Sequence, residues 1–108
     1  MIRLDPTDHP TGKYQEMSDG LEGYWWETEK QVCIPWVFSH DPRAFLHFLK
    51  AQEAKGKAVV FPTIINARLA KLLLLRGYVP ALIYVDYMHQ DTDCLVLNPE
   101  KLILQEKP

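Results

Sequence analysis

Apolar and polar positions divide the chain into segments of distinct period. "GYWWE", the polar turn "TEKQ" and "VCIPWVFS" read as an antiparallel hairpin of two strands rich in aromatic and β-branched residues. Pro35 donates no ladder hydrogen bond, so the second strand is expected either at a sheet edge or locally bulged. "SHDPRAFLHFLKAQEAKGK" then carries a helix start and stop, with Asp41 as cap, Pro42 at the first helical position and Gly56 just past the end. Phe45, Phe48 and Leu49, flanked by Leu46, form its apolar stripe, and His47, Lys50 and Glu53 are expected toward water.

"AVVFPTII" is apolar almost throughout, as a strand covered on both faces would be, although periodicity alone also admits a buried helical segment. Asn66 caps a second expected helix, Ala67 to Arg76, which Gly77 ends. Leu69, Leu72 and Leu73 face inward. Leu72 to Leu75 span too wide an arc for one sheet, so Leu74 or Leu75 is expected to meet another element or another chain. "ALIYVDYM", the polar turn "HQDTD" and "CLVLN" read as a second hairpin ended by Pro99. Residues 1–23 read as an arm in which "MIRL" forms an edge strand, residues 24–99 as the α/β domain, and residues 100–108 as a tail that is either a short strand, "KLIL", or frayed. The expected fold class is α/β: a small mixed sheet with two helices, a central parallel strand pair and flanking antiparallel hairpins.

Bulk composition narrows the function. A chain of 108 residues with 47% hydrophobic and 24% charged residues is one globular domain. No run approaches the roughly 18 apolar residues of a membrane span, and the N-terminus shows no signal-peptide pattern, so a cytoplasmic protein with no membrane partner is expected. With a net charge of −2 and dispersed basic residues, nucleic acid is not an expected partner. Cys33 and Cys94 form no CxxC pair and read as small buried hydrophobes, with a disulfide left open. His9, His40, His47 and His89 show no metal-ligand spacing, so no metal site is expected.

The stretch "NARLAKLLLLRGY", Asn66 to Tyr78, resembles the C-terminal half of GNAT-type N-acetyltransferases, with Asn66, Arg68, Leu72, Gly77 and Tyr78 in register with the sense "N-x-R-A-x-x-L-Y-x-x-x-G-F". The resemblance covers about Val32 to Leu97. It implies a shortened GNAT-like architecture in which acetyl-coenzyme A would lie in a splay between two parallel strands, the first one bulged. It also implies a glycine-rich loop whose amides hold the pyrophosphate at a helix N-terminus. Here the matching "VFSHDPRAFL" has no glycine, Pro42 removes a donor and Asp41 brings negative charge. Leu73 stands where the family often has a tyrosine acid, leaving Tyr78, Tyr84 or Tyr87 as weak candidates for a proton donor. There is also no room for the two helices that follow the family's first strand.

These departures favour a non-catalytic domain serving protein–protein interaction, self-association or assembly, with no cofactor. Small cut-down proteins of this type are reminiscent of virus-encoded, phage-like ones. The alternative is an acetyl-CoA-dependent acyltransferase in which Ser39, Arg43 and Asn66 contact the cofactor. Trp25, Trp26 and Trp36 with Tyr24 and Phe38 form the densest aromatic region. Adjacent tryptophans on a strand point to opposite faces, so unless both faces are covered one of Trp25 and Trp26 is exposed. Trp25, Trp26, Leu74 and Leu75 are therefore the expected interface residues.

Overall fold

A computed structural model of the chain describes residues 2–4, 15–16, 20–62, 66–85 and 89–102. These form an α/β fold with a mixed sheet and two helices. In chain order the elements are β1 (Ile2–Leu4), β2 (Gln15–Glu16), β3 (Leu21–Glu27), β4 (Gln31–Ser39), α1 (Pro42–Glu53), β5 (Ala58–Pro62), α2 (Ala67–Leu75), β6 (Val79–Val85), β7 (Gln90–Leu97) and a 3₁₀ turn, Pro99–Leu102. The described strands lie in the order β1-β6-β7-β5-β4-β3-β2. β4 and β5 form the central parallel pair, and the antiparallel hairpins β3–β4 and β6–β7 flank it. A second parallel pair joins β1 to β6 at one edge.

Local chemistry sets the hairpin and helix ends. Between β3 and β4, the Thr28 hydroxyl accepts from the Lys30 and Gln31 amides at 3.3 Å each, closing a turn that needs no glycine. α1 begins at Asp41, whose carboxylate accepts from the Arg43 amide at 3.0 Å, with Pro42 just inside. Asn66 caps α2 by accepting from the Arg68 and Leu69 amides at 2.8 and 3.2 Å. α2 stops at Leu75, and Gly77 follows at φ +98°, a conformation that favours glycine.

The sheet is covered on both faces. Leu21, Trp25, Val32, Ile34, Val59 and Phe61 pack under Phe45 and Leu49 of α1 and Leu73 of α2, with Tyr78 completing that layer. Trp26, Cys33, Val60, Ala81, Ile83, Cys94 and Val96 form the core on the other face, with Leu102 of the 3₁₀ turn. All five residues of β5 are buried, as its unbroken apolar run predicts.

β4 changes face partway along. Tyr24 pairs with Trp36 but Trp26 pairs with Cys33, so β4 carries one more residue than β3 across this interval. The extra residue lies at Ile34–Pro35, where Pro35 relieves the ladder of a donor it lacks. Val32 and Ile34 face the helices before the bulge, and Val37 does so after it. Gly23, at φ +138°, lies opposite Val37, and a β-carbon there would stand 2.2 Å from the Trp36 carbonyl oxygen. The strands meet too closely for any side chain.

Four expectations are corrected. Trp25 and Trp26 are both buried, at 9% and 1% exposure, because each face of β3 has its own core. Glu53 does not point to water: its carboxylate binds Arg76 and Tyr78, and Gln52 lies on the buried side of α1. "HQDTD" is not the turn of the second hairpin: Val85 pairs with Gln90, and all of that run but His89 lies in β7. The polar run is strand alternation, with Thr92 and Cys94 inward and Asp91 and Asp93 outward. The start of "KLIL" is a 3₁₀ turn, not a strand, where Leu102 reaches the core. His9, Tyr87, Thr63 to Ile65 and Ile103 onward lie outside the described residues, as does the side chain of Tyr84.

Candidate functional site

Two places on the fold gather the residues singled out by sequence. The first is a crevice beyond the carboxyl ends of the central parallel strands. β4 and β5 pair only through Gln31–Cys33 and Ala58–Val60, and among the described residues β4 then runs on to Ser39 without β5 beside it. The gap holds a cavity of about 170 Å³ lined by Val37, Phe38, Ser39, Phe45, Asn66 and Leu69. Open α/β sheets bind ligands at such positions. The fold thus brings Ser39 and Asn66 together on this lining, while Arg43 stands in the first turn of α1 and is not among the lining residues.

The donors around this crevice are largely committed. The Ser39 hydroxyl donates to the Asp41 carbonyl at 2.7 Å. The His40 amide donates to the Gly20 carbonyl at 2.9 Å, Pro42 has no N–H, and the Arg43 amide is taken by the Asp41 carboxylate. At the α2 end the Asn66 Oδ1 accepts from its own helix. The cavity is also smaller than the roughly 300–1,000 Å³ typical of pockets that enclose a drug-sized ligand. It is sized for a small group.

Tyr78 stands elsewhere. It follows the far end of α2, about 14 Å from Asn66 along a helix of this length. Its hydroxyl donates to Glu53 at 2.9 Å, and its ring packs edge-on against Phe61. Burial, with the Glu53 carboxylate beside it, pushes the phenol far above its ordinary range. Burial opposes the charge of Glu53, yet the hydrogen bonds from Arg76 and Tyr78 outweigh it and hold that carboxyl below the usual range. Glu53, Arg76 and Tyr78 form a brace between the ends of the two helices.

The second place is an aromatic row on the helix-free face of β3 and β4. Beyond the bulge Trp36 and Phe38 emerge on this face, 50% and 54% exposed, with Tyr24, 44% exposed, across from Trp36. The Tyr24 and Trp36 rings lie 5.8 Å apart at 47°. The Phe38 ring meets the His40 imidazole edge-on at 5.0 Å, and His40 Nε2 lies 2.9 Å from Glu22 Oε2. Leu74 and Leu75 are exposed on α2.

Sequence reasoning placed exposed aromatic surface on this hairpin but on the wrong tryptophans. The signal that identifies Trp36 and Phe38 is Pro35: a bulge there reverses the alternation for every later residue of β4.

Cys33 and Cys94 are buried thiols not joined in a disulfide; burial, with Cys94 nearby, pushes the Cys33 thiol well up. Among the described residues no group of three or more His, Cys, Asp or Glu gathers to hold a metal, and no helix is long and apolar enough to cross a membrane. No protein-family model, curated protein or solved structure matches the chain.

Proposed function

We propose that the chain is a non-catalytic, acetyltransferase-like domain that docks a protein partner through the aromatic row. The observation that carries this reading is the exposure of Tyr24, Trp36 and Phe38 side by side on one sheet face. Aromatic residues of this kind dominate the energetics of protein interfaces. The resemblance to acetyltransferases is supported by the bulged β4 and by its parting from β5 after Cys33. Loss of cofactor binding is supported by the turn from Ser39 to Arg43, where the donors named above are already engaged and the Asp41 carboxylate occupies the helix start.

The test uses extracts of the source cell. The native chain elutes in a complex well above its 12.6 kDa mass, and Trp36→Ala/Phe38→Ala, with unchanged circular dichroism, elutes as the free chain. Co-elution of the double variant with the native complex overturns the reading.

A second reading is favoured by the crevice itself: an acyltransferase with an atypical cofactor grip, in which Ser39 and Asn66 border the acyl end of acetyl-coenzyme A. A ligand bound only by the native state raises the melting temperature as its concentration passes the dissociation constant. Clear stabilisation by millimolar acetyl-coenzyme A, abolished in Leu69→Trp, establishes that reading in place of the first.

A further inference from the structure

We infer that the aromatic row accepts a cation, and that the partner segment it fits presents arginine. This rests on the reading of the row as a docking face and adds the chemistry of what docks. The Trp36 ring is half exposed and tilts 47° from Tyr24 instead of lying flat on it, so an indole face can be approached from solvent. Each ring face is the negative side of its quadrupole and attracts a positive group within about 6 Å of the centroid.

Glu22 adds formal charge to the same place. It is the cross-strand partner of Phe38, its side chain is more than half exposed, and the hydrogen bond to His40 engages its Oε2. Ring faces and carboxylate favour the same sign. The chain's net charge of −2 favours the same partner at longer range. The hairpin already uses this chemistry on its opposite face, where Lys55 Nζ sits 5.0 Å from the centre of the Trp25 ring.

Arginine suits the row better than lysine. A planar guanidinium can stack on the Trp36 face while its N–H groups reach the Glu22 carboxylate, which a compact ammonium does less well. A purely apolar partner would gain nothing from Glu22.

The three tryptophans give three indole N–H signals in a nitrogen-15 spectrum, and the exposed Trp36 reports on the row while the buried Trp25 and Trp26 report on the fold. The full chain is titrated at low salt with acetyl-Gly-Arg-Gly-Arg-Gly-amide and with the same peptide carrying neutral citrulline for arginine. The arginine peptide is expected to shift the Trp36 signal saturably, and the citrulline peptide to bind about fivefold or more weakly. Glu22→Gln should weaken the arginine peptide at least about threefold, and Trp36→Leu should abolish the binding heat of that peptide in titration calorimetry with the Trp25 and Trp26 signals in place.

Equal binding of the two peptides, no shift at Trp36, or undiminished binding by Trp36→Leu overturns the inference. If any of these is found while Trp36→Ala/Phe38→Ala still releases the native complex, the docking face stands and only its preference for a cation falls. If the complex also survives that double substitution, both fall.

Discussion

The Tyr78 hydroxyl donates to the Glu53 carboxylate at 2.9 Å, tying the start of β6 to the end of α1. Arg76 closes the same junction from the cap of α2. The phenol is part of the fold's bracing. Tyr78→Phe keeps the ring against Phe61 and removes one hydrogen bond to a charged group, so it should lower stability by about 1.5–3 kcal/mol. The midpoint of urea unfolding measures this, and a change under about 0.5 kcal/mol would show that the bond carries no weight.

The same junction predicts an acid dependence. Glu53 has a folded pKa below the ordinary value of 4.5, so its contribution is fully present above 4.5 and is lost as pH falls through the lower folded value. Glu27 behaves alike, held down by Lys55 and Lys57. Glu53→Gln should therefore be less stable than the native chain at neutral pH, and its loss of stability on acidification below 4.5 should be shallower. Parallel stability curves over that range would contradict the assignment.

Gly23 lies where β3 and β4 approach most closely. Gly23→Ala adds a β-carbon against the Trp36 carbonyl at a positive φ and should cost more than about 2 kcal/mol, with disturbance spreading to the aromatic row. Thermal unfolding with near-ultraviolet circular dichroism checks both. Gly56→Ala is the contrast: its β-carbon meets open space, and only the cost of its own positive φ, about 1 kcal/mol, is expected.

Cys33 and Cys94 are buried, and burial with Cys94 nearby disfavours the Cys33 thiolate. Neither should react with a neutral thiol reagent in the native state, and both should react at once in denaturant. Rapid labelling of the folded chain would place them outside the core described here.

Signals confined to a few residues were legible in the sequence. Asp41, Pro42, Asn66 and Gly77 mark helix ends through bonds that span two or three positions, and the structure uses each of them so. The parallel centre and two hairpins followed from the order of periods. Which side of a strand meets a core depends on what packs there from far along the chain, and this was not legible. Trp25 and Trp26 illustrate it: the alternation was right, but the second core, supplied in part by Leu102, lies some 76 positions away. Asp91 and Asp93 were taken into a turn because outward positions of an exposed strand share its composition. In the crevice, Ser39 and Asn66 both line the cavity, and neither position's composition announces that.

The bulge at Pro35 has a genetic corollary. Removing that single codon would restore simple alternation along β4 and leave every remaining side chain on the face it now holds, with Ile34 and Val37 beneath the helices and Trp36 and Phe38 outside. The sticky side therefore does not depend on the extra residue itself, and a lineage could shed the kink through one in-frame deletion without burying it.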